Sequence, residues 1–246
     1  MIKEMAVSQN DTFLASFPKS GTTWLLNIVY HLSGKGAQTV DQLIPWLDCD
    51  PYSIEPCGSP RFFKTHVPFG WLPYDPSARY IYVARNPKDV AVSFYYFLEN
   101  MQHQVAGYKK ENEVDMASFI DFFEEERVLY GSWWDHVNSW YEASLKYPNV
   151  LFITYEELSR DLSASISTIA RFLEKEVDEE TLGRITEKCT FSSMKNDKQS
   201  SMAYCKNFWR KGVCGDHVNF FTEAQVQRFD ERNKQKLPQK LMDRLE

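Results

Sequence analysis

An α/β fold, a central parallel sheet flanked by helices, is what this chain predicts, on three observations. Short runs rich in β-branched and aromatic residues alternate with segments of helical periodicity. The first such run, TFLASF, passes into a helix through the turn PKSG, a P-loop-like strand–loop–helix at the N-terminus. Hydrophobic residues make up 43% and charged residues 25%, ordinary for a globular chain, and 246 residues suffice for one domain over 1–246. Strands separated by helices are joined by crossovers, which is how parallel sheets are connected.

The elements follow in order. A strand at Thr12–Phe17 stops against Pro18, which cannot donate to a ladder. Helix Thr22–Leu32 has Leu25, Leu26, Ile28, Val29 and Leu32 as its inward stripe. Strands are read at Arg61–Thr65 and Arg79–Ala84, then a helix at Asp89–Leu98 with Asp89 as a credible N-cap. Met116–Leu129 and Ser132–Lys146 are helical, Val150–Thr154 is the fourth strand, and helices at Leu162–Leu173, Glu179–Lys188 and Glu223–Lys236 complete the set. The stretches Gly34–Pro60, Glu99–Asp115 and Phe191–Val218 lack regular periodicity. In open α/β sheets such loops gather over the carboxyl ends of strands, where ligands bind.

Composition narrows the partners. A net charge of −6 gives no general attraction to nucleic acid or anionic membranes. An anionic ligand must therefore be held by local basic groups and helix N-termini. The five cysteines, Cys49, Cys57, Cys189, Cys205 and Cys214, form no CxxC pair, and the histidines form no HExxH, so no disulfide framework or metal site is expected. The N-terminal MIKEMAVSQND is not signal-peptide-like and no run of 18 apolar residues occurs; a cytoplasmic protein without a membrane anchor is expected.

Four constellations carry chemistry. In FPKSGTTW the free N–H groups of a helix first turn would bind an anion, with Lys19, Ser20, Thr22 and Thr23 adding donors, Gly21 allowing close approach and Trp24 an aromatic face. The lysine precedes the only glycine, whereas a nucleotide-triphosphate loop ends GK[ST]. In RFFKTHVP, Lys64 and His66 project to one side of a strand, suiting electrophilic stabilisation and proton removal. Arg85 at a strand end and Ser93 on the following helix can converge on a second anion. In FWRKGVCGD, Arg210 and Lys211 before Gly212 read either as a phosphate clamp or as a solvated turn. Together these describe a ligand with two separated phosphate-like groups.

The ordered motifs FPKSGTTW, KTHVP, YVARNPKDVAVSFY, YGSWWDHVNSWYE, LFITYEEL and RKGVCGD, from Thr12 to Phe229, resemble the cytosolic sulfotransferase family. The resemblance implies 3'-phosphoadenosine 5'-phosphosulfate (PAPS) as donor and 3'-phosphoadenosine 5'-phosphate (PAP) as product. It puts Lys19, Ser20, Gly21, Thr22 and Thr23 around the phosphosulfate, and Trp24, Tyr155, Thr190, Phe191 and Met194 around adenine. It puts Arg85, Ser93, Arg210, Lys211 and Gly212 at the 3'-phosphate. It makes His66 the general base at a near-neutral pKa, with Lys64 and Lys19 stabilising developing charge, and it implies no metal. The acceptor would be a small phenol, monoamine or alcohol, with Phe69, Trp71, Tyr95, Phe97, Trp133 and Trp134 as candidate pocket aromatics.

Departures from the family pattern are Cys189 for a threonine, His217-Val218 for Trp-Lys, and a dimer motif reduced to Val218, Thr222, Glu223 and Gln227. A monomer or a different dimer is expected. The competing readings are a nucleotide-dependent kinase, which the missing GK[ST] disfavours, a catalytically silent nucleotide-binding protein, and a membrane-anchored carbohydrate-modifying relative.

Overall fold

A computed structural model of the chain describes residues 2–34, 39–49, 60–102, 114–202 and 208–246. Cys57, Cys205 and much of the two irregular stretches, at 50–59 and 103–113, lie outside these residues. The elements are β1 (Thr12–Ser16), α1 (Thr22–Ser33), α2 (Val40–Leu43), β2 (Phe62–Thr65), β3 (Arg79–Ala84), α3 (Pro87–Gln102), α4 (Met116–Glu124), α5 (Trp133–Lys146), β4 (Val150–Thr154), α6 (Tyr155–Arg160), α7 (Leu162–Phe172), α8 (Glu179–Lys188), α9 (Phe191–Asn196), α10 (Glu223–Lys236) and α11 (Gln239–Met242).

All four predicted strands form, and they pair in parallel in the order β2-β1-β3-β4. The pleat sends alternate residues to opposite faces. Phe13, Ala15, Tyr80, Tyr82, Ala84 and Phe152 face a layer that includes Val90, Phe94, Phe123, Trp134, Trp140 and Phe229, from α3, α4, α5 and α10. Leu14, Ile81, Val83 and Ile153 face Leu25, Leu26, Ile166, Ile169 and Ile185, from α1, α7 and α8. Both faces are covered, which is why the strands read as almost unbroken apolar runs. Each fully buried large apolar side chain contributes about 1.5–3 kcal/mol.

The chain leaves β1 toward β2 on one side and returns to β3 on the other. A crevice opens at the carboxyl ends of β1 and β3, the switch point where open α/β sheets bind ligands.

Local differences have local causes. Helix α3 begins at Pro87, two residues before the predicted start. Asn86 Oδ1 accepts from the Lys88 N–H, and proline suits the first helical position. Asp89 is therefore inside the helix and not its N-cap. Helix α4 ends at Glu124 because Glu126 adopts a left-handed φ of 64°, so the predicted continuation to Leu129 fails. The Phe191–Val218 stretch does hold regular structure, the short α9 capped by Thr190 and a 3-10 turn at Asp216–Asn219. Among the described residues no helix is long and apolar enough to cross a membrane.

Candidate active site

The strands end at Ser16, Thr65, Ala84 and Thr154. The residues just beyond them supply Lys19, His66, Arg85 and Tyr155 to one cavity of about 270 Å³.

The loop after β1 is built for close approach. Lys19 has φ 67° and Gly21 has φ 110°; the left-handed conformation costs a non-glycine residue roughly 1–2 kcal/mol. A Cβ on Gly21 would lie 3.0 Å from the Tyr155 ring. Gly21 precedes α1 without a side-chain cap, so the first-turn N–H groups lack the usual hydroxyl or carboxylate partner. Thr22, Thr23 and Trp24 line the cavity beside Lys19, whose Nζ lies 4.4 Å from the Phe97 ring centroid and 3.8 Å from that of Phe208. The Thr22 hydroxyl bonds the Ser16 hydroxyl. Ser20 departs from expectation: it is fully buried and does not line the cavity, and its Oγ has no partner.

Lys64 and His66 share the cavity as predicted. His66 Nδ1–H donates to the Ser16 carbonyl at 2.8 Å, because a carbonyl can only accept, and Nε2 is left as the acceptor nitrogen. Burial, and then the charge of Lys64, push the His66 pKa down to about 3. This corrects the near-neutral value expected from sequence: the imidazole is neutral throughout the physiological range. Trp46 and Tyr130 stand edge-on to it, with centroids 5.5 and 5.6 Å away. Burial also lowers the Lys64 pKa, Asp41 and Asp48 opposing it, and Lys64 Nζ lies 4.0 Å from the Trp46 ring centroid.

A closed ring of buried hydrogen bonds joins His66 to the loop after β1. Phe17 N–H donates to the Tyr82 hydroxyl at 3.2 Å, and that hydroxyl donates to His136 Nδ1 at 2.8 Å. His136 Nε2–H then donates to the His66 carbonyl at 2.9 Å. The bond from His66 Nδ1–H to Ser16 closes the circuit, since Ser16 precedes Phe17 in the chain. Burial pushes the His136 pKa down to about 4, consistent with its neutral role. Sequence reading missed Tyr82 and His136; a histidine among the tryptophans of YGSWWDHVNSW was the available signal.

At the other end Arg85 lies 4.2 Å from the Tyr155 ring centroid and donates to the Val213 carbonyl at 2.8 Å. Its Nε is buried without a partner, as is Trp24 Nε1. Ser93, Phe191 and Met194 line the cavity, and the Trp24 and Tyr155 rings meet edge to face at 5.1 Å. Thr190 does not line it: its hydroxyl accepts from the Ser193 N–H and caps α9. Arg210 and Lys211 do reach the cavity, but both are ion-paired to buried Asp216. Burial alone would raise the Asp216 pKa; hydrogen bonds from Lys211, Arg210 and Asn219 outweigh it and hold it at about 2. The turn is solvent-exposed at Lys211 and Val213, and Asp216 holds both of its cations. Gly212 has φ 70°, and a Cβ there would lie 2.2 Å from the Phe191 ring. Asp89 latches this turn, accepting from the Gly215 N–H at 2.6 Å, the His217 N–H at 3.0 Å and His217 Nδ1 at 2.9 Å.

Of the six predicted pocket aromatics only Phe97 lines the cavity. Trp133 and Trp134 are core residues, Phe69 packs on Trp140 and Tyr147, Tyr95 on Phe119, and Trp71 is 66% exposed. Trp46, Tyr130 and Phe208 take their place. Cys189 is buried in the aliphatic layer, away from the cavity.

A family model described as a sulfotransferase domain matches residues 9–241. The chain belongs to the sulfotransferase family. It is 35% identical over 253 residues to human Sulfotransferase 1E1, covering 93% of this chain and 84% of that protein. It is 35% identical over 263 residues to mouse Sulfotransferase 1B1, covering 96% and 85%. The solved structure of mouse sulfotransferase SULT7A1 complexed with PAP superposes with a TM-score of 0.76 at 30% identity, covering 96% of this chain and 87% of that one. The chain is accordingly a PAPS-dependent sulfotransferase, and the kinase alternative finds no support in these likenesses.

Proposed function

We propose that this sulfotransferase moves a sulfuryl group from PAPS to a hydroxyl or amine of a small aromatic or hydrophobic acceptor, with His66 as general base. The observation that carries the reading is the tautomer of His66. The Ser16 carbonyl accepts a hydrogen bond from Nδ1–H, so Nε2 carries the free lone pair, in a cavity shared with Lys19 and Lys64.

The residues fit the donor. Arg85 Nε and Trp24 Nε1 are buried donors without protein partners at the cavity wall, and the α1 N-terminus lacks a side-chain cap. Lys19, Gly21, Thr22 and Thr23 would hold the 5'-phosphosulfate end, with Ser20 shaping the turn from behind. Arg85, Ser93, Arg210, Lys211 and Gly212 would hold the 3'-phosphate, and Trp24, Tyr155, Phe191 and Met194 the base. The donor supplies a sulfuryl group whose bond to phosphate breaks as the acceptor oxygen or nitrogen bonds to sulfur. Lys64 and Lys19 stabilise charge on the oxygens around that centre, and His66 Nε2 takes the acceptor's proton.

Metal-free turnover by a single sulfotransferase unit over 1–246, working in the cytosol, belongs to the same reading. So does a monomer or a dimer of another kind. Of the altered motif, Val218 is 69% exposed and Thr222 serves as the N-cap of α10. Purified protein incubated with PAPS and a panel of phenols, monoamines and alcohols tests the reaction. Transfer of radiolabelled sulfate to at least one acceptor is expected; no transfer together with no PAP binding would sink the proposal.

A further inference from the structure

The Arg210–Lys211–Gly212 turn is tied at two levels. Within it, Asp216 pairs with Arg210 and Lys211 and fixes the two cations relative to each other. That pairing does not set where the turn lies against β3 and α3. Its docking comes from residues outside it. Arg85 Nη2 donates to the Val213 carbonyl at 2.8 Å, and Asp89 accepts from the Gly215 N–H, the His217 N–H and His217 Nδ1. Rings add to the contact, with the Arg210 guanidinium 5.2 Å from the Tyr96 centroid and Tyr96 meeting Phe220 edge to face.

Helical spacing explains why Asp89 takes this part. Asp89, Ser93 and Tyr96 recur at i, i+4 and i+7, on one face of α3, so the carboxylate stands one turn before Ser93, which lines the cavity. Asp89 is 1% exposed, and neither it nor His217 lines the cavity. Burial alone would raise the Asp89 pKa; the His217 hydrogen bond, the Arg85 charge and the two N–H donors outweigh it and keep the carboxyl below its usual range. An ionised carboxylate only accepts, so His217 supplies its Nδ1 proton. That imidazole occupies a position where this chain departs from the family pattern.

We propose that Asp89 and His217 are positioning residues for the donor's 3'-phosphate: by holding the Arg210–Gly212 turn against α3, they set the preference for a 3'-phosphorylated nucleotide over its 3'-hydroxyl counterpart. This role rests on the placement of the 3'-phosphate among Arg85, Ser93 and that turn. A turn that drifts lengthens the hydrogen bonds to that phosphate, while the α1 N-terminus and the Trp24–Tyr155 pair, on other elements, still hold the rest of the nucleotide.

PAP and 5'-AMP differ only in the 3'-phosphate, and the ratio of their calorimetric Kd values measures the preference. It is determined for the wild type, D89N, H217A and H217N, each checked for a cooperative thermal transition. The wild type is expected to favour PAP at least about tenfold. D89N should raise the PAP Kd about tenfold while the 5'-AMP Kd moves less than about threefold. H217A should lower the preference roughly threefold or more, and H217N, whose amide N–H replaces Nδ1–H, should restore it to within about twofold. The KM for PAPS should rise in parallel in D89N and H217A.

A wild type that binds both nucleotides equally refutes the placement of the 3'-phosphate, and this role with it. A wild-type preference that persists in D89N and H217A overturns the positioning role and leaves the placement standing. Equal weakening of PAP and 5'-AMP overturns it as well, since that is general loosening of the fold, and so does tighter PAP binding by D89N. Where D89N does not fold, the H217A and H217N pair decides: no rescue by H217N overturns the part given to the imidazole.

Discussion

His66, the proposed general base, shows how much of a side chain's chemistry lies outside its own identity. Its sequence neighbours identify a polar strand end; its burial decides its protonation. Since burial and Lys64 hold the pKa at about 3, His66 protonation should impose no fall in kcat/KM between about pH 5 and 8, and H66A should lower kcat roughly 100- to 1,000-fold. A rate profile dropping near the ordinary histidine value of 6.5 would contradict this assignment. The same burial carries a cost in acid. His66 and His136 titrate at about 3 and about 4 when folded against 6.5 when unfolded, so on acidification the unfolded chain gains protons first. Their contribution to stability is complete above 6.5 and is lost as pH falls toward those folded values. Tm should therefore fall from neutral to about pH 4.5, and by less in H136Q. Gly212 makes a second prediction at this scale. G212A must hold a left-handed φ and displace the Phe191 ring, so the Kd for PAP measured by calorimetry should rise about tenfold or more.

At the scale of elements, the loop after β1, strand β3, the end of β2 and helix α5 meet in the ring through Phe17, Tyr82, His136 and His66. Removing one partner of a buried hydrogen bond costs about 1–3 kcal/mol and leaves the other group unpaired. Y82F and H136A should therefore lower kcat by roughly tenfold or more while the PAP Kd moves little, because the ring positions the base and does not touch the donor. H136Q, which keeps a donor toward the His66 carbonyl, should recover part of the loss. Equal losses in kcat and donor affinity in all three would mean a general loosening of the fold. Strands β1 to β4 and the long helices were legible from periodicity, since their apolar stripes face two real cores. Helices α6 and α9 were not, because a single turn following a strand or a loop has no period to read; their starts are set by the hydroxyls of Thr154 and Thr190.

For the whole molecule, the strand order β2-β1-β3-β4 brings the ends of four separate segments to one crevice. Among the described residues no group of three or more His, Cys, Asp or Glu side chains could hold a metal ion. The basic side chains and the α1 N-terminus are the charges that the proposed mechanism uses. Prolonged treatment with EDTA should leave kcat and the PAP Kd within about twofold of untreated enzyme; a loss restored by a divalent cation would require a different mechanism. The amino-acid sequence by itself determined the fold class, the strand–glycine turn–helix after β1 and the set of basic residues, because each is written in local chemistry: alternation, a glycine turn, lysine and arginine at strand ends. The tertiary structure alone decided that Trp46 and Tyr130 flank the base, that Trp133 and Trp134 are core, and that Asp216 and Asp89 secure the Arg210–Lys211 turn. Those facts depend on which distant segments share a volume and which side chains lose their water, and no local pattern encodes either.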